Sequence, residues 1–75
     1  MNKVEALLEE YRDKLSRRKL PGIAVIWKDA LTHNKHDSGF IVYIANIAAL
    51  LDKTDEETDE IVEDWEREYH IHIFD

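Results

Sequence analysis

Apolar residues recur along this chain in four stretches, and in the first and the last their spacing has one reading. Val4, Leu7, Leu8, Tyr11 and Leu15 stand at i, i+3, i+4, i+7 and i+11, one stripe of a 3.6-residue helix. Asn2 can cap it, and Glu5 stands three residues on in a capping-box arrangement. Arg17, Arg18 and Lys19 crowd its end, where cations favour the helix dipole, and Pro21-Gly22 stops it. The last stretch is as plain. Ile61, Val62, Trp65 and Tyr69, with Thr58 between them, form one face; Thr54 and Glu57 make a second capping box and acids fill the first turn.

The two middle stretches fit more than one template. Ile23, Ile26, Trp27, Ala30 and Leu31 make a helical stripe with Lys28, Asp29 and Thr32 opposite, yet Ile23 to Trp27 is also rich in β-formers. Phe40, Tyr43, Ile44, Ile47, Ala48 and Leu51 make a longer stripe, while Phe40 to Ile44 alone would suit a strand. Strict alternation is absent from both, and the helical template accommodates more of the polar residues. The pattern therefore predicts an all-α, compact four-helix domain spanning residues 1–75, with helices at about 3–19, 22–33, 39–52 and 55–69. Its alternative is an α+β fold with a hairpin of about 23–28 and 40–45 packed on helices. Thr32 to Gly39 is a polar loop in which Asp37 or Ser38 can cap the next helix. The tail from Tyr69 to Phe74 alternates like a strand or pads the core. The expected core is Leu7, Leu8, Tyr11, Leu15, Leu20, Ile23, Ile26, Trp27, Leu31, Phe40, Tyr43, Ile44, Ile47, Leu51, Ile61, Trp65 and Tyr69.

Composition narrows the class. Seventy-five residues with 44% apolar content are enough for one small core, and the absence of cysteine removes disulfides and thiolate metal sites. The longest near-apolar run, Phe40 to Leu51, is broken by Asn46 and falls short of the ~20 residues a bilayer span needs. The N-terminus has no secretory hydrophobic region. These features lead us to expect a soluble, cytoplasmic protein.

Charge is where the chain is most unusual. Residues 52–68 hold ten carboxylates against Lys53 and Arg67, a net of −8, while the other 58 residues carry +1 and the whole chain −7. Such a field attracts basic surfaces and repels nucleic acid and anionic membranes. On a helix, residues four apart lie about 6 Å apart, so these acids form rows whose mutual repulsion no lysine at i+4 relieves. A face of this kind either keeps a small domain soluble or docks on a basic groove, including one built for a phosphate backbone. The candidate partner-binding residues are Asp55, Glu56, Asp59, Glu60, Glu63, Asp64 and Glu66.

Other chemistry is thin. Asp52, Thr54, Glu56 and Glu63 fall at positions 1, 3, 5 and 12 of a calcium loop, but Glu57 stands where the sharp turn requires glycine. His33 and His36, or His70 and His72, could join Asp37 or Asp75 in a zinc or nickel site, without matching a specific spacing. There is no glycine-rich phosphate loop and no nucleophile motif, and an exposed helical carboxylate has no cause for the raised pKa that acid–base work needs; no enzyme and no cofactor is expected. Arg12, Lys14, Arg17, Arg18, Lys19 and Lys28 form a basic cluster, which makes the surface dipolar and allows self-association. Val25, Val42, Ile71, Ile73 and Phe74 are the expected apolar part of such a contact.

The leading expectation is a small, non-enzymatic, acidic binding module that inhibits or regulates a basic partner, by mimicking nucleic acid where that partner binds nucleic acid. In type it is similar to the small acidic inhibitors carried by phages and mobile elements. A structural or regulatory homodimer with an apolar interface is the alternative, and a histidine-based metal module a weaker one.

Overall fold

The first helix, α1, spans Lys3–Ser16 and begins as its sequence dictates: Asn2 is extended and its side chain accepts the backbone N–H of Glu5 at 2.9 Å. The computed structural model describes residues 2–20 and 22–71, with the side chains of 23–27 left aside. After α1 comes a 3₁₀ segment, Gly22–Leu31; then α2, Phe40–Leu50, and α3, Asp55–Glu68. The chain is all-α, and the described residues contain no strand, so the hairpin alternative gives way. Of the four expected helices, three are α-helices and the second is 3₁₀.

All three α-helices end in the same way. Arg18, Asp52 and His70 each take the left-handed conformation, at φ of 54°, 57° and 55°. The next residue then donates its N–H to a carbonyl one turn back: Lys19 to Lys14 at 3.0 Å, Lys53 to Ala48 at 2.9 Å, Ile71 to Glu66 at 2.9 Å. This is the Schellman arrangement, reached here without glycine at the left-handed position. It also explains why α1 stops at Ser16 and α2 at Leu50, short of the sequence-based boundaries.

α1 and α3 run antiparallel. Lys3 reaches Glu60 at 3.1 Å at one end, and Lys53, just before α3, reaches Glu10 at 3.0 Å at the other. α2 and the 3₁₀ segment pack together and against α1. Between them lies a core of Val4, Leu7, Leu8, Tyr11, Ala30, Phe40, Ile44, Ile47, Leu51, Ile61 and Trp65. Leu15, Leu20, Leu31, Tyr43 and Tyr69 pack against it only partly buried, because each lies at an element's end or on the flank of its stripe. The core positions expected at Ile23, Ile26 and Trp27 lie outside the described side chains. No helix is long and apolar enough to cross a membrane among the described residues.

Candidate functional site

The carboxylates of α3 divide by direction around the helix. Ile61 and Trp65 face the core, so residues on the far side, Asp55, Glu56, Asp59, Glu63 and Glu66, fall within an arc of about 100°. Asp55, Glu56, Asp59 and Glu63 are exposed and Glu66 half-exposed, and none of the five has a side-chain partner among the described residues. Thr54 holds the start of the helix. Its hydroxyl accepts the Glu57 N–H at 3.1 Å, and the Glu57 carboxylate accepts the Thr54 N–H at 3.0 Å. The Thr54 N–H, and the Thr54 hydroxyl beside it, hold the Glu57 carboxyl below its ordinary pKa.

Two candidate residues stand apart. Asp64 is buried, its side chain next to Ile61 and Trp65 on the inward half of the wheel. Its Oδ2 accepts the backbone N–H of Lys3 at 2.8 Å and its Oδ1 the Arg67 guanidinium at 2.8 Å. The Lys3 hydrogen bond, aided by Arg67 and opposed by burial, holds its pKa below the ordinary value. Glu60 is exposed but bridged to Lys3. Asp64 therefore ties helices together, and Glu60 forms the margin of the acidic face rather than its centre.

The remaining face is dense. Five carboxylates unpaired among the described residues span about 16 Å of helix from Asp55 to Glu66, a mean step of ~4 Å along the axis. One strand of duplex DNA carries a charge per ~3.4 Å of axis. At the C-terminal end of the face, Glu63, Glu66 and Arg67 line a shallow depression together with the apolar Ile71.

The other candidates fall out differently. Thr54 and Glu57 are committed to the helix cap, and no group of three His, Cys, Asp or Glu able to hold a metal occurs among the described residues. His33 stacks on Phe40, with ring centroids 6.0 Å apart, and meets Asp37 at 3.5 Å; His36 sits edge-on to Tyr69 at 5.2 Å. His72 and Asp75 lie outside the described residues, as do Ile73 and Phe74. Val42 is 50% exposed on an α2 that carries no charge. Sequence spacing alone missed Lys3 and Arg67 as partners of the α3 acids. The signal for Asp64 was present, since it lies four residues after Glu60 yet only 60° from Ile61 on a helical wheel.

Comparison of the chain with family models, with curated proteins and with solved structures finds no match.

Proposed function

We propose that this protein is a non-enzymatic binding module of the cytoplasm that presents the α3 face, Asp55, Glu56, Asp59, Glu63 and Glu66, to a basic partner protein. The partner's surface is one that otherwise holds a phosphate backbone, so the module inhibits by occupying it. The observation that carries this reading is the row of carboxylates unpaired among the described residues, whose mean step of ~4 Å along the helix is about a fifth wider than the ~3.4 Å of a nucleic-acid strand. Its cost supports the reading as well: like charges at i, i+4 destabilise a helix, and this chain supplies Lys3 and Arg67 only at the margin. Fast, salt-sensitive association follows from such a field.

The test is capture of partners from lysate at low and high salt, with wild type beside a chain carrying Asp59→Lys and Glu63→Lys. Partners retained by wild type at low salt, released by high salt and lost from the variant support the reading. Capture that ignores both salt and the charge reversal refutes it.

A further inference from the structure

The cations that the acidic face lacks are on the same molecule, at the far end of α1. Arg12, Lys14, Arg17, Arg18 and Lys19 fall within eight residues. Lys14 leans on Glu10 at 3.8 Å in a half-exposed pair and Arg17 on Asp13 at 3.2 Å in an exposed one, both of the weak kind. Arg12, Arg18 and Lys19 are exposed and have no ionic partner among the described residues. The Schellman turn fixes the backbone that carries Arg18 and Lys19, and half-buried Leu15 and Leu20 flank them.

The antiparallel packing keeps the two patches apart. α1 already reaches Lys53, just before α3, at Glu10, so residues 12–19 run on beyond the start of α3. No cation of this cluster bridges to an α3 carboxylate among the described residues. Among the described residues each patch is thus unmatched within one copy, and it is complementary to the other patch on a second copy.

We propose that a second copy of this chain docks on the acidic face, the basic end of α1 in one protomer lying against Asp55 to Glu66 of its partner. The inference rests on the docking role assigned to α3 and names one partner for it. Leu15 or Leu20 supplies the apolar contact over the depression at Ile71, with arginines facing Glu63 and Glu66. The two surfaces differ, so they meet either reciprocally about a two-fold axis, each basic end on the other's acidic face, or head-to-tail in a ring or open chain.

The net charge of −7 opposes such assembly, and screening decides the outcome. At ~0.15 M salt the Debye length is about 8 Å, well inside the molecule's smallest dimension of 22 Å, so local complementarity outweighs whole-molecule repulsion. At ~0.01 M it grows to about 30 Å and repulsion spans the particle; at ~1 M it shrinks to about 3 Å and the contact itself is screened. Self-association therefore peaks at intermediate salt.

Sedimentation of the full chain up to millimolar concentration, across that salt range, tests this. The expected result is association strongest near physiological salt and weakened roughly tenfold or more at high salt. Arg12→Glu with Lys19→Glu, or Asp59→Lys with Glu63→Lys, should each leave a monomer of wild-type helicity by circular dichroism. The chain carrying all four changes keeps the net charge of −7 and should associate again. A wild-type chain monomeric at every salt, or association that survives ~1 M salt, overturns the proposal. Polylysine binding, measured on the same samples, separates the two failures. If it is salt-sensitive and lost with Asp59→Lys and Glu63→Lys, the docking role of α3 stands without the second copy; if it is indifferent to both, that role falls too.

Discussion

The backbone N–H of Lys3 donates to the Asp64 carboxylate at 2.8 Å, so a side chain of α3 satisfies the first turn of α1 across 61 residues of sequence. Asn2 caps the same turn and donates to the Tyr69 hydroxyl at 3.3 Å, while Lys3 bridges to Glu60. One end of the molecule is thereby laced by three contacts between the first residues and the last helix. A helix N-terminus favours a negative charge, and here the charge comes from a neighbouring helix.

Asp64→Ala should destabilise the fold by about 1–2 kcal/mol, because it leaves the Lys3 N–H and the Arg67 guanidinium without their shared acceptor. Asp64→Asn keeps one acceptor and should lose less. Urea unfolding at constant m-value checks both; a loss no larger than that of Glu9→Ala, an exposed α1 control, would refute the tether.

The same carboxylate sets a pH signature. Its folded pKa is depressed, so its contribution is complete above the ordinary value of 3.8 and is lost as pH falls through the lower folded value. The useful quantity is the stability of wild type minus that of Asp64→Asn. This difference should be flat from about pH 5 to 7 and shrink below about pH 4. A difference that grows on acidification contradicts the assignment.

Glycine should improve every helix end. Arg18, Asp52 and His70 hold left-handed conformations that cost a side-chain-bearing residue roughly 1 kcal/mol. Arg18→Gly and His70→Gly remove exposed side chains and should raise Tm by about 4–8 °C each. Asp52→Gly should do the same. Thermal denaturation decides this, and an unchanged or lowered Tm at all three positions would show that the ends are not strained.

The pattern of apolar residues made α1 and α3 legible because both are amphipathic with capping residues in place, and the expected start of each agrees with the observed one. The middle of the chain was ambiguous for a physical reason: α2 is apolar almost all round, so periodicity marks its inner face only weakly. Length also misled at α1 and α2, since helical spacing continues through their left-handed turns. At the candidate site, sequence placed seven acids on one helix but could not assign their directions. The inward turn of Asp64 depends on Lys3 and Arg67, and the Lys3 contact is tertiary.

Trp65 ties the polar loop to α3. Its ring is buried against Phe40, with centroids 6.2 Å apart, and its indole N–H donates to the Lys35 carbonyl at 2.7 Å. Trp65→Phe should cost about 2–3 kcal/mol, from the unfilled volume and the orphaned carbonyl together. Hydrogen exchange should also quicken selectively in residues 32–39. Equal quickening everywhere would mean that the indole hydrogen bond does nothing specific for the loop.

The acidic face should stabilise when it is dismantled. Asp55, Asp59 and Glu63 form an i, i+4 row of like charge, with no cation bridging to it among the described residues. Each such pair destabilises a helix by about 0.2–0.5 kcal/mol. Asp59→Asn and Glu63→Gln should therefore raise stability by a few tenths of a kcal/mol, and added salt should narrow the gap to wild type. The same variant should bind polylysine more weakly. A residue that lowers stability yet strengthens binding belongs to a functional surface, as positions strained for activity do elsewhere. If neutralisation leaves binding intact, the carboxylates serve solubility alone. If it lowers stability, the row is held by contacts within the fold.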